Sequence, residues 1–281
     1  MKERPFNLTP DPRFLYLSEG HQEALAHLIY GVRERRGFVL LTGEVGTGKT
    51  TLLRAFLDNL DEGVRAAYIF NPHMSFVQLL RYACIDFGLS VNGQGKAHLL
   101  GDLNRFLLEG FARGENAVLV IDEAQDLSVS ALEEIRLLSN LETAEAKLLQ
   151  LVLVGQPELD AKLDLPALRQ LRQRIGLHYR LSSLDWEETQ SYIRQRLQVA
   201  GVKYPTLFTP KAQREIYRIT RGVPRLINLL CDQALLTAYA EGQRSVGPAA
   251  LRGAARDLGW KRTHRSLFWF LKGIWPLRQA F

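Results

Sequence analysis

Cysteine is scarce: two in 281 residues, Cys84 and Cys231, too few for a disulfide framework, and no CxxC pair suggests zinc. That usage fits a reduced, cytosolic setting. No stretch approaches the roughly 20 apolar residues a membrane helix needs. The opening MKERPFNLTP lacks an apolar segment of signal-peptide length, which excludes secretion by that route as an expectation. Internal repeats and low-complexity linkers are also missing. Acidic residues are absent from 258–281, which hold five bases: Lys261, Arg262, Arg265, Lys272 and Arg278. The whole chain carries 36 Lys and Arg against 30 Asp and Glu, so this segment accounts for most of the excess of +6. The rest is near neutral, the basic character is assigned to a tail, and a nucleic-acid partner is not expected.

What is present is a core-building composition, 46% hydrophobic and 23% charged. Short β-branched or leucine-rich runs alternate with longer helical patterns, the mark of an α/β domain with a largely parallel sheet. Strands are expected at 38–42, 66–70, 117–121, 149–154 and 177–181, and helices at about 20–35, 49–60, 75–87, 97–113, 129–141 and 166–174. After Leu184 strand signals stop. Asp185 or Ser183 can cap a helix running towards Ala200, and Thr209-Pro210, Pro224 and Pro248 each start another. The expected division is an α/β nucleotide-binding domain over 1–182, an all-helical domain over 183–257 and a basic aromatic tail over 258–281.

Gly43-Glu44-Val45-Gly46-Thr47-Gly48-Lys49-Thr50 matches GxxxxGK[ST] between an apolar run and a helical segment beginning at Thr51. Glycines let backbone N–H groups converge on phosphate, aided by the helix N-terminus. Lys49 supplies charge to the β- and γ-phosphates of ATP, and the Thr50 hydroxyl can ligate Mg²⁺. Ala117–Ile121 runs into Asp122-Glu123, placing two carboxylates at the sheet's C-terminal edge, where open α/β sheets bind ligands. Asp122 is expected to hold Mg²⁺, and Glu123 to activate the attacking water as general base.

At these residues the chain resembles the AAA+ ATPases, and more closely the ExeA, or general secretion pathway protein A, family, with its short relatives at pilus and exopolysaccharide loci. The similar stretches are PFNLTPDPRFLYLSEGHQEALAHL, FVLLTGEVGTGKTTL, LVIDEAQDLS, LLQLVLVGQPEL, LRQLRQRI and TRGVPRLINLLCDQALLTAY, spread over most of 5–245. The resemblance implies a five-stranded AAA+ P-loop fold with a C-terminal helical lid. It implies that Arg225, in Gly222-Val223-Pro224-Arg225, is the second sensor, touching the γ-phosphate. Gln156 would be the first sensor, and Arg174, then Arg169, would be the arginine a neighbouring subunit contributes; Arg172 completes the candidates. ATP would sit at the domain junction, with Thr51 among the residues around it. The N-terminal block would cover the adenine, with Phe14 and Tyr16 read as core and His21 as a helix-start residue. A homo-oligomer is implied, serving envelope secretion, pilus assembly or exopolysaccharide export from the cytoplasmic face of the inner membrane. The alternative is a DNA-associated regulator of the kind that selects targets in transposition. Trp260, Phe268, Trp269, Phe270, Trp275 and Phe281 mixed with bases suit an anionic membrane surface or a protein partner, with nucleic acid the third alternative.

Overall fold

In a computed structural model, residues 3–8, 11–70, 72–91, 95–202 and 207–260 are described. The aromatic tail beyond Trp260 lies outside them, and with it the expectation of membrane or protein docking. The described residues form two units. One comprises Leu17–Glu44 and Gly48–Ser182; the other takes the described parts of 1–16 and 183–260, together with Val45–Thr47.

The first unit is built on five parallel strands: β1 (Phe38–Gly43), β2 (Val64–Ile69), β3 (Asn116–Ile121), β4 (Leu149–Gly155) and β5 (Ile175–Leu181). Their order is β2-β3-β4-β1-β5, with Phe38 paired to Leu151 and Ala117 to Leu149. Every residue of β1 and β4 is buried, which is why both read as continuous apolar runs. Strand β5, at the edge, alternates in exposure until Leu181.

Helices α1 (Glu19–Arg33), α2 (Lys49–Asp58), α3 (Phe76–Asp86), α4 (Lys96–Ala112), α5 (Val129–Leu138), α6 (Pro157–Leu163) and α7 (Arg169–Arg174) complete the unit. Serines 18, 75 and 128 cap α1, α3 and α5, each accepting from a backbone N–H three residues on. One apolar layer on the sheet includes Leu40, Leu119, Leu153, Leu80 and Leu103; the other includes Val39, Leu41, Val120, Leu28 and Phe56. The seven-residue α6 was not anticipated from the sequence, although Pro157 occupies its first turn.

The second unit holds α8 (Trp186–Val199), α9 (Pro210–Thr220), α10 (Pro224–Ala240) and α11 (Pro248–Asp257). Asp185 caps α8 in a reciprocal capping box with Glu188, and Thr209 caps α9. The N-terminal block departs from the expected 1–182 boundary. Phe6 is buried in the core of this helical unit, its ring edge-on to Phe208 at 5.9 Å. Phe14 is also buried, and Tyr16 packs edge-on to Tyr192. Segment 3–16 has no helical or strand period long enough to assign it to a domain, so its placement follows from where Phe6 finds a core.

Within the near-neutral body, charge is unevenly shared. Residues 183–260 carry eleven Lys and Arg against seven Asp and Glu, while 1–182 carry twenty against twenty-three. On α9, Lys211, Arg214 and Arg218 recur at helical spacing and are all exposed.

Candidate functional site

Strand order positions the site. Because β4 lies between β1 and β3, the segments leaving the C-terminal ends of these three strands emerge side by side. They are the glycine-rich loop, the Asp122-Glu123 pair and the Gly155-Gln156 junction.

The glycine-rich loop turns through positive φ at Gly46 (81°) and Gly48 (104°), conformations open to glycine. Gly48 is the N-cap of α2 and offers no side-chain acceptor, so that helix opens with its amides uncapped by a side chain. His21, in the first turn of α1, lies against it: a Cβ on Gly48 would come within 2.8 Å of Nε2. His21 also hydrogen-bonds Ser18 Oγ through Nδ1, at 2.7 Å. Its apposition to the loop carried no local sequence signal.

Lys49 is buried, and its ammonium donates to the carbonyls of Gly43 at 2.7 Å and Glu44 at 3.1 Å. Burial lowers its pKa, opposed by the nearby carboxylates of Glu123 and Asp122. Thr50 Oγ1 donates to Asp122 Oδ2 at 3.1 Å, bringing together the two expected metal ligands. The phenol of Tyr68, on β2, donates to the same oxygen at 3.1 Å, and the Glu123 amide donates to Asp122 Oδ1 at 2.9 Å. Burial nevertheless raises the Asp122 carboxyl above its ordinary range. Tyr68 was missed because an alternating edge strand gives no reason to single out one tyrosine.

Glu123 has φ 52° and ψ 38°, a left-handed conformation uncommon for a residue with a side chain. Its Oε2 accepts from Gln125 Nε2 at 2.8 Å and from Gln156 Nε2 at 3.2 Å. Gln156, the N-cap of α6, is thus held beside the proposed base.

Thr50 and Asp122 offer hard oxygen donors, and among the described residues no group of three or more His, Cys, Asp or Glu forms another metal cage. That donor set fits Mg²⁺, which is commonly held by one or two protein oxygens together with substrate phosphates.

Arg225 and the arginines of α7 are the remaining candidates. Arg225, exposed in the first turn of α10, donates its backbone N–H to the Gly46 carbonyl at 3.2 Å. A Cβ on Gly46 would meet that of Arg225 at 2.6 Å. Among the α7 arginines, Arg174 is occupied within its own unit, donating to Ser139 Oγ at 2.5 Å, Asn140 Oδ1 at 2.6 Å and the Arg136 carbonyl. Arg172 lies 3.6 Å from Asp164, and Arg169 is exposed.

A phosphate-type loop with a lysine at a helix start, a Thr–Asp pair and an adjoining carboxylate, on a parallel sheet followed by a helical unit, is the arrangement of one class of nucleotide hydrolases. The family model "AAA domain" matches residues 32–163. General secretion pathway protein A of Aeromonas hydrophila is 50% identical over 247 residues, covering 88% of this chain and 45% of that protein. The chain belongs to the AAA+ ATPases of the general secretion pathway protein A family. A subunit of the Holliday junction branch migration complex, RuvB of Rhodospirillum centenum, is 28% identical over 87% of this chain and 58% of its own length. The chain thus spans about half the length of these curated relatives. The crystal structure of Cdc6p from Pyrobaculum aerophilum superposes with a TM-score of 0.69 at 21% identity, covering 96% of this chain and 73% of that one, a likeness of fold. Among the described residues of this family member, no helix is long and apolar enough to cross a membrane.

Proposed function

We propose that this AAA+ chain hydrolyses ATP as an oligomer and uses the cycle to drive assembly of an envelope system, working at the cytoplasmic face of the inner membrane. The observation that supports hydrolysis is the convergence of Lys49, Thr50, Asp122, Glu123 and Gln156 at one sheet edge. The loop amides and Lys49 hold the β- and γ-phosphates. Thr50 and Asp122 hold Mg²⁺, which when bound neutralises phosphate charge. Glu123 takes a proton from the attacking water, and Gln156 orients the reacting groups. The new bond joins the water oxygen to the γ-phosphorus, and the bond to the β,γ-bridging oxygen breaks. Arg225 reports the γ-phosphate to the lid, and because Arg174 is engaged by Ser139, Asn140 and the Arg136 carbonyl, Arg169, exposed on the same helix, becomes the preferred arginine for a neighbouring subunit.

The envelope assignment, which includes secretin-type secretion, pilus assembly and exopolysaccharide export, rests on the 50% identical relative, whose name places it in general secretion. A DNA-associated regulator is the second reading, favoured by one observation, the excess of bases in 183–260 with the exposed face of α9. For the chemistry, Lys49→Ala should abolish nucleotide binding. Glu123→Gln should bind ATP and trap it, and rapid turnover by that variant would remove Glu123 from the role of base.

A further inference from the structure

Gln125 has no role among the groups named so far, yet its amide is used at both ends. Its Nε2 donates to Glu123 Oε2 at 2.8 Å, and its Oε1 accepts from the Gln156 backbone N–H at 3.0 Å. Because a backbone N–H can only donate, the amide oxygen must face Gln156 and the NH₂ must face Glu123. One side chain therefore runs from the acidic end of β3 to the junction of β4 and α6.

The surroundings are built for this span. A Cβ on Gly155 would come within 2.8 Å of Gln125 Oε1, so the glycine leaves the amide its path. The short turn Ala124–Asp126 that carries Gln125 is held from the other side by Lys162 of α6. That ammonium donates to the carbonyls of Gln125 at 2.5 Å and Leu127 at 2.7 Å. Glu123, at φ 52°, occupies a conformation that persists only where neighbours over-determine it.

We propose that Gln125 is a positioning residue that sets the stance of the Glu123 carboxylate and ties it to the β4–α6 junction. The proposal rests on the reading of Glu123 as the general base. Gln156 donates to the same Glu123 oxygen from its side chain at 3.2 Å and to Gln125 from its backbone, so a movement at Gln156 reaches the base by two routes. Gln125 itself needs no contact with nucleotide, which separates its expected effect on turnover from any effect on affinity.

The test uses the full chain with Gln125→Met, which keeps length and removes both hydrogen bonds, and Gln125→Glu, which keeps shape and replaces the donor with a carboxylate oxygen. Fluorescent-ATP affinity should stay within about twofold and KM should hold, while kcat falls by about ten- to a hundredfold, the scale of a misplaced catalytic group. Relative to the parent chain, Gln125→Glu should recover as pH falls from about 8 to about 5, because the introduced carboxyl regains a donor on protonation. A residue that only filled space would show no such recovery. Parental kcat in both variants at every pH overturns the proposal, and so does a parallel loss of affinity and turnover. If the parent chain binds ATP through Lys49 without hydrolysing it, the reading of Glu123 fails instead. Positioning is then read directly from the Glu123 carboxyl carbon resonance in glutamate-labelled protein. A shift in Gln125→Met supports the clamp, and an unmoved resonance sinks it.

Discussion

The strain of function is visible first at single residues. Asp122 is buried, and its carboxyl is held above the ordinary carboxylate range by burial, despite donors from the Glu123 amide, Thr50 and Tyr68. A group whose folded pKa is raised stabilises the fold fully only below its unfolded value, and that contribution is lost as pH rises through the folded one. At neutral pH the ionised carboxylate is thus carried at a cost. Asp122→Asn should raise the thermal midpoint at about pH 7.5, by roughly 2–4 °C per kcal/mol relieved, while abolishing turnover. Both hydroxyls that now donate to Oδ2 can rotate to accept from the new amide, so the substitution leaves no polar atom stranded. The gain should shrink as pH falls through the raised pKa and the parent carboxyl takes up its own proton. A lower midpoint at pH 7.5 would mean that its three donors outweigh burial. The pair Asp122-Glu123 was legible in the sequence because an apolar run ends on it. The partners Tyr68 and His21 were not, since each reaches the site from another element, and Gln125, two residues beyond Glu123, was not because no spacing rule marks which side chain of a turn folds back.

Elements were legible where a local rule fixed them. Strands β1 and β4 announce themselves as buried runs, and every helix of the second unit starts at a proline or a capping side chain. Helix α6 was lost because seven residues give less than two helical periods for a pattern to repeat. The placement of segment 3–16 was lost for a different reason: it is settled by a tertiary contact. Arg196, buried on α8, donates Nε to the Pro5 carbonyl at 2.6 Å, Nη2 to the Asn7 carbonyl at 3.1 Å and Nη1 to the Tyr192 hydroxyl at 2.9 Å. Its guanidinium also lies 4.8 Å from the centre of the Phe14 ring. Arg196 thus ties the strap to the helical unit, together with the buried Phe6 and with Gln195, whose Nε2 donates to the Leu15 carbonyl at 2.6 Å. Hydrogen bonds to a charged group contribute about 1.5–3 kcal/mol each, and neighbours do not add fully. Arg196→Met should then destabilise the chain by about 2–4 kcal/mol. Hydrogen exchange should speed up at residues 6–8 more than within β1 or β4, and an unchanged exchange rate there would show that other contacts, such as the buried Phe6, retain the strap.

At the scale of the whole molecule, the near-neutral sum over residues 1–260 conceals two parts of opposite sign, twenty bases against twenty-three acids in 1–182 and eleven against seven in 183–260. The basic face of α9 shows no large apolar side chain among its exposed positions, so its attraction for an anionic surface is electrostatic and must weaken with salt. An envelope ATPase should accelerate on anionic vesicles, and a DNA-associated one on duplex DNA, both at physiological ionic strength and against neutral vesicles as a control. Either stimulus acts on an enzyme whose basal rate should already rise with protein concentration, if a neighbour completes each site. That dependence has a sharper form. A Lys49→Ala subunit cannot bind nucleotide but still presents Arg169, while an Arg169→Ala subunit binds nucleotide but presents no such arginine. Each alone should be slow, the second by as much as about 10³-fold. Mixed together they should regain turnover, because each Arg169→Ala site can then border a subunit with its arginine intact. A mixture no faster than its parts would show that Arg169 does not act across the subunit boundary.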